Sequence, residues 1–306
     1  MSRRAATLAA ALAVDGIVGE VGGDWHPVAA GGRLLERGYR PWRGRHAATE
    51  LVAGAAALTA AAGLAALLGW GAERFAGRRL TRALVLGVLL KQTFSVRRLL
   101  EEGTGVADSL ERGRLDQARL RLHALVSRPT AGLSAELCAS AAIESLAENL
   151  ADSVAAPLLF HSLYGLPAAA AYRVVNTADA MFGYRGETEW LGKAAARLDD
   201  ALNWLPSRLS ALALTGAAMA LEGPAGAASA ARTWRRDGAL TASPNAGRPM
   251  SAMAGALERR LEKRGHYVLG DGRRQPDATD VRRAVRLTGV AAGLLAAAAL
   301  VWGTRR

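Results

Sequence analysis

The sequence predicts an all-α, polytopic integral membrane protein with about four to six membrane helices and amphipathic helices at the interface. Three observations carry that prediction. Leu51 to Ala72 runs for over twenty residues without a charge, enough to cross a hydrocarbon core of roughly 30 Å at about 1.5 Å per residue. Apolar residues make up 51% of the 306, with Gly 34 and only 5% aromatics, a composition of closely packed membrane helices more than of a soluble core. The charge surplus, 39 basic against 27 acidic residues, sits mostly as Arg in short segments beside apolar runs, as in the loops that orient membrane proteins. Mean hydropathy is only +0.09, so apolar spans must alternate with charged stretches. A nucleic-acid binder can carry the same surplus, but this placement of the arginines points to membrane lipid and not to nucleic acid.

Taken in order, Met1 to Arg4 and the apolar run Ala5 to Val14 have the layout of a signal peptide. No small-residue cleavage site precedes Asp15 to Glu20, so a retained first membrane helix is expected. Leu51 to Ala72 is the clearest span, Leu205 to Leu221 is interrupted by Ser207-Arg208, and Leu287 to Trp302 is slightly short. Ala83 to Leu90 crosses only with its neighbours, Lys91 included. Residues 97–128 and 232–286 read as water-facing. The first places Leu110, Leu115, Leu120, Leu122 and Leu125 among Arg and Glu, as amphipathic helices do. The second is a polar loop with a short helix near Met253 to Lys263. The expectation is one membrane-embedded domain over 1–306, multi-pass in the cell membrane. The basic loops Arg33 to Arg45 and Arg74 to Arg82 flank the same span and cannot both be cytoplasmic if it crosses once. Either one of them serves a substrate or another apolar run is re-entrant. The lone Cys138 excludes a disulfide framework and a thiolate-rich metal site, and reads as a small buried hydrophobe.

The chemistry-bearing residues fall in five places. Glu144, Glu148 and Asp152 recur every four residues among Ala, Leu and Val, so on a helix they form one acidic stripe with no basic neighbour within a turn. A solvated face is the ordinary reading of such a stripe, but carboxylates in a membrane mark sites, and oxygen ligands suit Mg²⁺ bridging to phosphate. Arg173, Asn176 and Asp179 share the next face, on a helix expected to end at Gly183, followed by Tyr184 and Arg185; they could equally satisfy one another. Asp199, Asp200 and Asn203 resemble an Asp-Asp-x-x-Asn metal-phosphate motif or a helix cap, with Arg208 behind. Ser243-Pro244-Asn245 is a turn able to offer backbone N–H groups to an anion. His26, before Pro27, reads as a loop residue as readily as a ligand.

In their order along the chain, from His26-Pro27-Val28 through Glu144-Ser145-Leu146-Ala147-Glu148-Asn149, Val175-Asn176-Thr177 with Asp179 and Gly183-Tyr184, and Asp199-Asp200 with Asn203, to Ser243-Pro244-Asn245-Ala246-Gly247, these motifs resemble the adenosylcobinamide-phosphate synthase family of cobalamin biosynthesis (CobD/CbiB). The resemblance covers about Asp15 to Arg286. It implies a membrane enzyme that joins adenosylcobyric acid to an aminopropanol or its phosphate through an amide bond, using ATP and Mg²⁺. Its partners would be the corrinoid, the amino alcohol, membrane lipid and other cobalamin-assembly enzymes. It implies catalytic roles for Glu144, Glu148, Asn149, Asp152, Asn176 and Asp179, with Glu144, Glu148 and Asp152 also as metal ligands. Substrate or phosphate contacts would come from His26, Arg173, Tyr184, Arg185, Asp199, Asp200, Asn203, Arg208, Ser243, Pro244 and Asn245. The chain departs from the usual family pattern at Glu20-Val21 (Asp-Pro), Ser153 (Gly) and Met250 (Glu). Two rival readings stay open: a Mg²⁺-dependent intramembrane prenyl- or phosphotransferase, and a non-catalytic corrinoid-binding scaffold.

Overall fold

The structure, a computed structural model, describes residues 2–20, 27–77, 79–184, 186–272 and 274–304. The chain is helical almost throughout: α1 (Arg3–Val18), α2 (Pro27–Tyr39), α3 (Ala47–Phe75), α4 (Arg79–Lys91), α5 (Val96–Glu111), α6 (Leu115–Leu122), α7 (Ala135–Leu150), α8 (Ala156–Tyr164), α9 (Leu166–Phe182), α10 (Glu189–Leu202), α11 (Trp204–Leu221), α12 (Gly223–Asp237), α13 (Gly247–Leu257) and α14 (Ala278–Thr304). A π-turn, Ala151–Ala155, joins α7 to α8. Between α13 and α14 lies a small antiparallel hairpin, β1 (Leu261–Lys263) and β2 (Tyr267–Leu269), with Leu261 opposite Leu269. The expected all-α class holds. His26 and Arg185, both expected at the site, lie outside the described residues.

The chain divides into two compact units: Met1–Ser95 with Ala156–Asn203 and Ala298–Arg306, and Val96–Ala155 with Trp204–Ala297. In the first, α2, α3, α9 and α10 pack around Leu35, Tyr39, Leu58, Val175, Phe182 and Leu191. The Arg33–Arg45 segment, expected as a basic loop, is mostly α2. Gly32, Leu35 and Tyr39 turn inward at helical spacing while Arg33 and Arg37 face out, and the Tyr39 ring packs 4.4 Å from that of Phe182. Close backbone approach sets this packing. A β-carbon on Gly54 of α3 would run into the Leu191 carbonyl oxygen, and one on Gly192 of α10 into that of Phe182.

In the second unit α5 buries Leu99, Gly103, Val106 and Ala107 along one face; of the leucines expected to form the apolar stripe, Leu122 is buried and Leu120 is exposed. Arg282 reaches Asp108 at 2.6 Å and Glu111 at 2.5 Å. The helix expected near Met253 to Lys263 instead starts at Gly247 and stops at Leu257, because Glu258 adopts a left-handed conformation at φ 55. Leu261–Lys263 is strand, and α13 is buried over almost its whole length.

Among the described residues two helices, α3 and α14, are long and apolar enough to cross a membrane. At about 1.5 Å per residue, α1 and α4 reach only roughly 24 and 20 Å, short of a roughly 30 Å core. α11 carries Arg208 within 18 residues. α3 leaves Val52, Leu67, Leu68, Trp70 and Phe75 exposed, and large exposed apolar faces mark membrane or partner surfaces. If α3 crosses once, single cysteines at Arg45 and Ala76 should react with an impermeant maleimide from opposite sides of sealed vesicles, and one at Leu67 from neither. Cys138 is fully buried and should be silent. Labelling of both ends from one side would contradict the span.

Candidate functional site

Each unit gathers its own polar set. In the first, α9 and the end of α10 bring together four of the expected residues in one connected network. Asp199 is buried, with Asn176 Nδ2 donating to its Oδ1 at 3.3 Å and Asn203 Nδ2 to its Oδ2 at 3.0 Å. Arg173 Nη1 donates to Asn176 Oδ1 at 3.1 Å and the buried Tyr172 hydroxyl to Asn203 Oδ1 at 2.9 Å. Burial pushes the Asp199 carboxyl above its ordinary range; the two Asn hydrogen bonds oppose this and the nearby Asp200 charge adds to it. Asp199 therefore neither caps a helix nor presents an open carboxylate: it organises two amides, of which Asn176 orients Arg173 and Asn203 receives the Tyr172 hydroxyl. α9 ends at Gly183 as expected, where the Gly183 N–H donates to the Asp179 carbonyl oxygen at 2.7 Å. Asp179 and Asp200 are half-buried and Tyr184 is exposed.

The same unit holds a residue that the sequence reading passed over. Lys91, at the end of α4, is fully buried and pairs with Glu20 at 2.7 Å and Asp15 at 3.5 Å. Glu20 is one of the positions that depart from the family pattern, and its longer side chain still delivers a carboxylate. A buried ammonium survives only with such partners. Part of the signal was available: a lysine closing an apolar run needs an acid, and Asp15 and Glu73 each close an earlier one.

In the second unit the acidic stripe does not share one environment. Glu144 is buried, Glu148 exposed and Asp152 half-buried. Asp152 falls in the π-turn, whose wider winding breaks the spacing of 3.6 residues per turn. Glu144 is held by Ser140 Oγ at 2.9 Å, the Tyr267 hydroxyl at 3.1 Å and Arg128 at 3.5 Å. Burial pushes its carboxyl up, while Ser140, the Arg128 charge and Tyr267 pull it down. The missing basic neighbour is thus Arg128, 16 residues upstream and invisible to helical spacing. Met250, in place of the family's usual Glu, lies with its sulfur 3.9 Å from the Tyr267 hydroxyl, so no second carboxylate crowds Glu144 there.

Asn149 is occupied within its own helix. Ser153 Oγ donates to Asn149 Oδ1 at 3.1 Å, Asn149 Nδ2 to Ser145 Oγ at 3.0 Å, and Ser145 Oγ to the Leu125 carbonyl oxygen at 2.6 Å. The Ser153 departure therefore supplies a hydroxyl to this chain of bonds. The Ser243-Pro244-Asn245 turn caps α13 rather than offering open amides. Ser243 Oγ accepts from the N–H groups of Asn245 and Ala246, and Thr241 Oγ1 from that of Gly247. Asn245 Oδ1 accepts from Arg208 Nη1 at 3.3 Å and Ser207 Oγ at 3.4 Å, and the Arg208 guanidinium lies 4.3 Å over the Trp204 ring. Among the described residues no three His, Cys, Asp or Glu groups come together as a metal cage.

The sequence matches the family model described as CobD/Cbib protein over residues 8–288. It is similar to a protein named cobalamin biosynthesis protein CobD from Geobacter metallireducens, 39% identical over 99% of this chain and 98% of that one. The protein of the same name from Mycobacterium tuberculosis is 39% identical over 87% of this chain and 85% of its own. The one from Dehalococcoides mccartyi is 47% identical, with the match spanning 61% of this chain and 60% of that protein's length. No solved structure matches.

The Arg128–Glu144 pair gives a pH-dependent expectation. A carboxyl held above its ordinary value keeps a proton that the unfolded chain releases, so stability falls as pH rises from the carboxylate range through the raised value. Arg128→Gln removes a cation that opposes this and lifts the value further. The variant should lose roughly 1–2 kcal/mol more relative to wild type at about pH 8 than at about pH 5, read by denaturant unfolding of the purified proteins. An equal loss at both pH values would contradict the pairing.

Proposed function

The chain belongs to the CobD/Cbib protein family, and from that premise we propose that it is a membrane ligase of cobalamin biosynthesis. It joins adenosylcobyric acid to (R)-1-amino-2-propanol or its O-2-phosphate through an amide bond, consuming ATP with Mg²⁺, to give adenosylcobinamide or its phosphate. The observation that carries the reading is the family match across residues 8–288, which takes in both polar sets.

The residues suit the parts such a reaction needs. Forming an amide from a carboxylate requires phosphate charge to be countered while acid and amine are held together. Arg208, oriented by Trp204 and Asn245, is placed to counter the amino alcohol's phosphate with its remaining donors. Mg²⁺ takes one or two carboxylates together with substrate phosphates and water. Glu148 and Asp152 fit that demand because solvent reaches both. Glu144 fits it poorly, being committed to Arg128, Ser140 and Tyr267. When bound, the ion supplies neutralisation of triphosphate charge. The prenyltransferase reading loses its main support, since Asp199 is enclosed by two Asn amides.

Two outcomes test these roles. Glu148→Ala and Asp152→Ala, each made to wild-type level in a strain lacking this step, should lower cobinamide formation by about 10²-fold or more; undiminished product would remove them from the site. Arg208→Gln should raise the KM for the amino alcohol phosphate by about tenfold and leave that for the unphosphorylated amino alcohol unchanged. Equal effects on both would show that Arg208 does not read the phosphate.

A further inference from the structure

The first unit contains a cavity of about 440 Å³ between α2, α3, α9 and the end of α4, within the roughly 300–1,000 Å³ range of small-molecule sites. Its walls are almost wholly aliphatic, with Ala61 and Ala65 of α3 facing Ala170 and Val174 of α9. Its rim is aliphatic too: Leu34, Leu64 and Leu68 line it and are 49%, 47% and 66% exposed. Leu64 and Leu68 belong to α3, the long apolar helix, so the opening is continuous with the surface that helix offers to a bilayer.

Four polar side chains break this lining: Gln92, Thr93, Arg173 and Thr177. Arg173 is the one charged residue among the described lining residues. Gln92 also lines the cavity, and its side-chain oxygen is buried without a hydrogen-bond partner. A free amino alcohol phosphate would leave the aliphatic walls unfilled, and a corrinoid is too large and polar to pass between the leucines. The lining instead matches a molecule with a long aliphatic part and an anionic end that also carries a hydroxyl or ammonium donor.

We propose that this cavity holds one acyl chain of an anionic membrane phospholipid, drawn in laterally past Leu64 and Leu68, with the lipid phosphate on Arg173 and a headgroup donor on the Gln92 oxygen. Arg173 then serves a bound lipid, and Asn176 with Asp199 holds its guanidinium in place. The assignment stands whether or not the amide ligation is this chain's reaction.

The test uses the full chain in nanodiscs containing phosphatidylglycerol with a photoactivatable diazirine in one acyl chain, followed by peptide mapping. The expected label falls on α9 around Ala170 and Val174 and on α2 around Ala30 and Gly31. Label confined to the outward residues Leu67 and Trp70 overturns the proposal. Ala65→Trp and Ala170→Trp should each cut cavity labelling by about tenfold while labelling of the outer face of α3 persists, which also shows that the variant is folded and embedded. Competition in wild-type protein by unlabelled phosphatidylglycerol, but not by phosphatidylcholine or inorganic phosphate, supports a lipid headgroup on Arg173, and Arg173→Gln should erase that preference. Equal competition by phosphatidylcholine, or displacement by inorganic phosphate alone, overturns it.

Discussion

Asn and Asp side chains are short, so the Asp199 network exists only because the α9 and α10 backbones come within a glycine's width of each other. Gly192 has no room for a β-carbon against the Phe182 carbonyl oxygen, and Gly54 has none against that of Leu191. Gly192, Ala195 and Asp199 are all buried on one face of α10, at the spacing that puts residues one above another on a helix. The glycine that seats the helix therefore also aims the carboxylate. Lipid tails are as apolar as leucine, so helices in a membrane are held by close packing and buried hydrogen bonds. Alanine and glycine richness is the sequence's way of supplying the first and permitting the second.

Both units bury a carboxylate and satisfy it mainly with neutral donors. Asp199 receives two amides, and Glu144 receives a serine and a tyrosine with Arg128 at longer range. A half-satisfied buried network costs more than an apolar core, so such residues fix a single arrangement. Glu148, Asp152 and Arg208 are more accessible to solvent than Glu144 and Asp199. The expected site residues thus sort into buried ones tied into a hydrogen-bond network and ones more open to solvent, a division that their order along the chain does not reveal.

What could be read in the sequence was local. The long apolar run of α3, the end of α9 at Gly183 and the amphipathic α5 each follow from spacing within one element. What could not be read depended on distant partners or on small irregularities. Arg128 and Tyr267 meet Glu144 from 16 and 123 residues away. A single π-turn changes what a four-residue repeat of acids means, and one left-handed residue, Glu258, converts an expected helix into a hairpin. The arginines of α2 masked the inward stripe of Gly32, Leu35 and Tyr39. Among the described residues α3 and α14 alone are long and apolar enough to cross a membrane, and an apolar stretch such as Leu205 to Leu221 also suits a helix packed against α12 and α13, as α11 is.

The central claim is that this family member forms an amide on a corrinoid at the expense of ATP. Membranes containing the protein, given adenosylcobyric acid, aminopropanol phosphate and Mg-ATP, should yield a corrinoid heavier by the amino alcohol phosphate less one water. ATP consumption should require both organic substrates. Tight corrinoid binding with no new mass and no substrate-dependent ATP turnover would contradict the ligase account and leave a carrier in its place.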